Sequence, residues 1–227
     1  MVPSDIPGAM VDKQDGDRTV KVKATDGWLL KTKGINRSLA FWLNQGISFI
    51  LIHSAYEHKN DEMSHALIPY IGEVPKDPKE LPEFTWDMSK PLTALKAFTD
   101  SMAGARKLSR LTDINFEFAL GEDAELIPAS EKGGPLKASD AVALLPFQIS
   151  RNKFALAAYI VTPTITVPLK PTEITVRVDK RLGDEILTVH TLTGMKGKAT
   201  VLQASNDSTM FSLDIDDSVT MVVFETK

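Results

Sequence analysis

The sequence predicts an α+β chain, with a partial α/β segment over residues 1–112 and an antiparallel β-sandwich over residues 113–227. Three observations predict it. Apolar residues recur at helical spacing at Leu30, Ile35, Leu39, Trp42 and Leu43, and again at Leu92, Leu95, Phe98, Met102 and Ala105. Between them lies a nearly continuous apolar run, Ile47-Ser48-Phe49-Ile50-Leu51-Ile52. From Ile114 onward the period falls to two, with Ile114, Phe116, Phe118 and Leu120 alternating with Asn115, Glu117 and Ala119.

Residues 1–27 hold Pro3, Pro7, Gly8, Gly16 and Gly27 and read as loop with one edge strand over 19–23. Residues 28–45 read as a helix, with Trp42 assigned to its core face and Gly46 as its stop. The apolar run at 47–52 suits a strand covered on both faces, as in a parallel sheet. Residues 59–88 carry Pro69, Pro75, Pro78 and Pro82 and read as a long connection with Trp86 near its end. A second helix is predicted from Ser89 as N-cap, with Pro91 in its first turn and Arg106, Lys107 and Arg110 at its C-terminal end.

In the second half, residues 141–150 and 153–162 flank Arg151-Asn152 as a tight hairpin. Further strands are predicted at 173–179, 186–192, 198–203, 209–214 and 219–225. Short strands at this spacing predict a sandwich, with a jelly roll as one arrangement of them.

Composition excludes several function classes. The chain is 43% hydrophobic and 25% charged, as in ordinary globular proteins. The net charge is −4 and no basic stripe stands out, which argues against a nucleic-acid partner. The apolar runs are far shorter than the roughly 20 residues of a membrane-spanning helix, so no membrane partner is expected. The absence of Cys removes disulfides, thiolate metal sites and a Cys nucleophile. Residues 1–10 lack the basic and apolar regions of a signal peptide, and the compartment stays open.

The order helix, buried strand, long loop, helix, sandwich resembles the C-terminal portion of a clan A glycoside hydrolase: the TIM-barrel end of a (β/α)8 fold with an appended sandwich. The carrying stretches are 28–39, which includes Ile35-Asn36-Arg37-Ser38-Leu39, and Gly46-Ile47-Ser48-Phe49-Ile50-Leu51-Ile52-His53-Ser54. With them go 91–111, Leu145-Pro146-Phe147-Gln148-Ile149 and 219–225. The resemblance covers most of residues 28–227 in organisation. It implies that the two catalytic Glu residues follow earlier barrel strands, so they are expected outside this chain; residues 1–27 contain no Glu. It also implies a carbohydrate partner, and strand neighbours for 47–52 in an upstream barrel segment or a second copy of the chain.

Barrel sites are built at the C-terminal ends of strands. This puts His53, Tyr56 and Glu57 at the mouth of the expected strand as substrate-binding candidates, with Trp86 stacking on a sugar ring from the long loop. No catalytic residue is assigned, because glycoside hydrolysis needs two positioned carboxyl groups and only Glu57 stands at the strand mouth. His53, His58 and His65 lie near Glu57, Asp61 and Glu62, but their spacing matches no standard metal signature. No metal or other cofactor is therefore expected. Lys132-Gly133-Gly134-Pro135 lacks a phosphate-loop pattern, and no G-x-S-x-G elbow occurs. The alternative reading is a non-catalytic sandwich module that binds a carbohydrate or another protein. A third is a small complete enzyme using the His and acid loop with a metal.

Overall fold

The computed structural model describes residues 10–15, 18–23, 27–47, 50, 90–103, 116–120, 125–127, 136–161 and 171–227. The first elements are strands β1 (Met10–Asp15) and β2 (Arg18–Lys23), then helices α1 (Gly27–Asn44) and α2 (Lys90–Ser101). Next come β3 (Phe116–Leu120), β4 (Glu125–Ile127), β5 (Leu136–Lys137) and the single turn α3 (Ala138–Ala141). Strands β6 (Val142–Gln148), β7 (Lys153–Ile160), β8 (Thr172–Val178) and β9 (Leu187–His190) follow. The chain closes with β10 (Met195–Lys198), β11 (Thr200–Ala204), β12 (Thr209–Ile215) and β13 (Thr220–Glu225).

The fold is α+β, with two main antiparallel sheets in a sandwich-like arrangement. One has the order β10-β9-β13-β7-β6 and the other β11-β12-β8-β3. Between them lies a core built from Leu156, Ala158 and Ile160 of β7, Val222 and Phe224 of β13, Ile174, Val176 and Val178 of β8, and Phe211, Leu213 and Ile215 of β12. Phe154 and Phe224 stack in it with ring centroids 6.0 Å apart.

The five-stranded sheet is also buried on its other face. Ala155, Ala157 and Tyr159 of β7 alternate with the inter-sheet residues, as do Met221 and Val223 of β13. They pack under Leu39 and Ala40 of α1 and Phe98 of α2, with Ile35, Leu43 and Leu95 beside them. A strand with an apolar partner on each face carries no polar alternation, and this is why β7 and β13 read as unbroken apolar runs. Strand β8 is covered on one face only, and Ile174, Val176 and Val178 alternate there with the less buried Glu173, Thr175 and Arg177.

Helix α1 ends where the sequence places its stop. Gly46 adopts φ +86°, Gly46 N donates to Leu43 O at 3.0 Å and Ile47 N donates to Trp42 O at 3.1 Å. This pair of bonds is a Schellman closure, which requires the left-handed backbone that Gly supplies without a Cβ clash.

Several expectations are corrected. Residues 10–15 are not loop: they pair with 18–23 as an antiparallel hairpin, Asp15 opposite Arg18. The signal was the two-residue connection Gly16-Asp17. Trp42 is not core: it is 50% exposed, because the buried stripe of α1 runs through Leu39 and Ala40 while Phe41 and Trp42 fall beside it. The stretch 198–203 is two strands in different sheets, broken at Ala199, whose N–H donates to Ile186 O. Of the expected strand at 47–52, Ile47 and Ile50 are described and neither is in a strand, Ile47 being spent on closing α1, while residues 48, 49, 51 and 52 lie outside the described residues. All described strand pairs are antiparallel. Residues 104–115 lie outside the described residues, and with them the expected C-terminal end of the second helix.

Candidate functional site

Polar side chains concentrate where the turn at residues 216–219, between β12 and β13, meets α1 and the end of β9. The turn is shaped by its own residues. Asp216 Oδ1 accepts from Ser218 N at 2.6 Å, the local side-chain bond that Asp favours in turns. Asp216 O accepts from Ile160 N at 2.7 Å, and Val219 O accepts from both Thr191 N at 3.0 Å and Thr191 Oγ1 at 2.7 Å.

On the helix side, Asp217 is sealed from solvent. Lys33 Nζ donates to both its carboxylate oxygens, at 2.7 and 2.6 Å, with the two side chains 2% and 1% exposed. Arg37, one turn further along α1, donates from Nε to Asp217 O at 2.7 Å and places a second nitrogen 3.4 Å from the carboxylate. Its guanidinium lies 5.7 Å from the centre of the Tyr159 ring. Burial lowers the Arg37 pKa, against the opposing pull of Asp217, and burial raises that of Tyr159. The spacing of Lys33 and Arg37 four residues apart puts both cations on one helical face, above a single carboxylate. Asn36, between them in sequence, is 1% exposed, and neither polar atom of its side chain has a hydrogen-bond partner among the described residues.

On the other side the turn borders a cleft of about 460 Å³. Here His190 Nε2 lies 3.2 Å from Asp216 Oδ2 and His190 Nδ1 lies 3.0 Å from Thr193 Oγ1. Burial pushes the Asp216 carboxyl up, but the hydrogen bonds from His190 and Ser218 N and the nearby charge of Lys33 hold it below its ordinary value. Both imidazole nitrogens are therefore engaged by protein groups. Ser218 Oγ is buried without a partner among the described residues, so Ser218, His190 and Asp216 do not form the relay that a serine nucleophile needs. Among the described residues, no group of three or more His, Asp or Glu is arranged to hold a metal ion.

The sequence-predicted residues His53, Tyr56, Glu57 and Trp86, and the loop set His58, Asp61, Glu62 and His65, lie outside the described residues. His190 and Asp216 were missed. Both sit in or beside predicted strands 26 positions apart, and only the pairing of β9 with β13 brings them together. The run Asp214-Ile215-Asp216-Asp217-Ser218 was the available signal, since three acids in five residues at a strand end are more than a solvated turn requires. Compared with protein-family models and with curated proteins, the sequence shows no match.

Proposed function

We propose that this chain is part of a glycoside hydrolase acting on a carbohydrate, in which the sandwich is a docked, non-catalytic layer and the catalytic carboxylates lie on another part of the enzyme. One observation carries the reading: α1 is apolar on two sides. Its buried stripe lies on the five-stranded sheet. Phe41 and Trp42, whose rings meet edge to face at 5.0 Å, stand 43% and 50% exposed outside that stripe. A helix apolar beyond one stripe suits a position between two layers, here an appended sandwich and the body of a barrel. The TIM-barrel end of the resemblance supplies that body, and His53, Tyr56, Glu57 and Trp86 would line its sugar subsite.

The test compares this chain with the product of the whole coding region on a panel of aryl-glycosides. The expected result is no turnover by the chain alone and turnover by the longer product. In that product Tyr56→Phe or Glu57→Gln should weaken substrate binding several-fold with the melting temperature unchanged. Robust turnover by the 227-residue chain alone, abolished by Glu57→Gln, would place the chemistry in this chain and overturn the reading.

A further inference from the structure

We infer that the cleft beside His190 binds a neutral, hydroxyl-rich ligand of the size of a sugar unit, independently of any barrel active site. The strand register builds one wall. His190 stands opposite both Thr220 and Met195, and Thr188 stands opposite Gly197, so these residues share one face of the five-stranded sheet. All of them line the cleft. At the edge of the four-stranded sheet the cleft is bordered by Glu173 and Asp214, direct cross-strand neighbours on the solvent-facing side of β8 and β12. Two like charges held opposite each other oppose strand pairing. A ligand that donates hydroxyl hydrogens to both carboxylates relieves that repulsion through charge-assisted bonds.

The lining selects the ligand class. Thr188 and Thr220 offer hydroxyls, which both donate and accept, as sugar hydroxyls do. Thr220 is 4% exposed and its Oγ1 has no partner among the described residues, although buried polar atoms are nearly always paired. Met195 is 70% exposed at the rim and supplies an apolar contact for the C–H face of a ring. Charge disfavours an anion. Glu173, Asp214 and Asp216 line the cleft against Lys196 and Lys198, and Lys198 is held by Glu185 at 2.5 Å. The volume of about 460 Å³ falls within the roughly 300–1,000 Å³ of small-molecule sites.

The experiment titrates the isotope-labelled full chain with neutral hexoses, pentoses and their short oligosaccharides, with galacturonate as the anionic control, and follows the backbone amides by NMR. The expected result is a saturable shift of Thr188, His190 and Thr220 with at least one neutral sugar and a weaker response to galacturonate. Asp214→Asn, at an exposed position, should weaken binding about tenfold. Gly197→Ala should weaken it too, since a Cβ there would sit 3.0 Å from Thr188 Oγ1 and crowd the wall. The inference is overturned if no neutral sugar moves these amides, if galacturonate binds more tightly, or if both variants bind like the parent. Shifts confined to residues 53–57 and 86 would also overturn it, while leaving the glycosidase reading standing.

Discussion

Lys33 Nζ lies 2.6 Å from Asp217 Oδ2 across 184 residues of sequence, and the pair is closed off from water where α1 meets the β12–β13 turn. Removing one partner leaves the other charge buried, which costs about 3–5 kcal/mol. Arg37 stays near Asp217, so Lys33→Met is expected at the low end, about 3 kcal/mol. For a chain of this size that lowers the melting temperature by about 6–12 °C. The double variant Lys33→Met with Asp217→Leu should recover only part of the loss, because an apolar pair replaces two of the ions while Arg37 is left without the Asp217 carboxylate. Calorimetry on the two variants checks both statements.

Asp216 gives a pH signature. Its carboxyl is held below the ordinary 3.8, so its bonds to His190 and Ser218 contribute stability that is fully present above that value. The contribution is lost as pH falls below 3.8 through the folded-state value. Asp216→Asn should therefore be less stable than the parent at neutral pH, with the difference shrinking toward zero on the acid limb. Urea unfolding at a series of pH values measures it, and a difference constant from neutral to strongly acidic pH contradicts the assignment.

Ser218 Oγ is buried with no hydrogen-bond partner among the described residues. An unsatisfied buried hydroxyl costs about 1–3 kcal/mol. Ser218→Ala removes only that atom, since the turn is held through the Ser218 backbone N–H. The variant is expected to be as stable as the parent or more stable by about 1 kcal/mol, read from the urea midpoint.

Residues 113–227 expressed alone keep the inter-sheet core intact, because all of its buried members belong to that half. The same fragment uncovers Phe147, Ala155, Ala157, Tyr159, Met221 and Val223, which α1 and α2 cover in the full chain. The expected outcome is a cooperative β-rich melt together with self-association through the uncovered face. Light scattering after gel filtration checks the second part; a strictly monomeric fragment contradicts it.

The helices and most sandwich strands were legible because each follows one periodicity set by one buried face. Strand β8 and helix α1 are the clear cases. What the sequence left obscure depends on partners distant along the chain. The outward residues of β7 and β13 look like sandwich core until the helices are seen to cover them. Trp42 looks like helix core because its spacing from Leu39 is as good as that of Leu43, and only the packing of α1 on the sheet separates them. The candidate cleft was hidden for the same reason: His190 belongs to one strand and Asp216 to the turn after another, and no local pattern announces a contact made by strand pairing.

The double burial of the five-stranded sheet has a consequence for how this sequence can drift. Along β8 only every second position faces the core, so tolerance to polar substitution should rise and fall with a period of two. Along β7 all positions from Phe154 to Ile160 are buried, alternately by the opposite sheet and by the helices. A saturation scan should find no permissive positions there. Strand β7 should thus change slowest among descendants of this chain, while the outward residues Thr175 and Arg177 of β8 turn over freely.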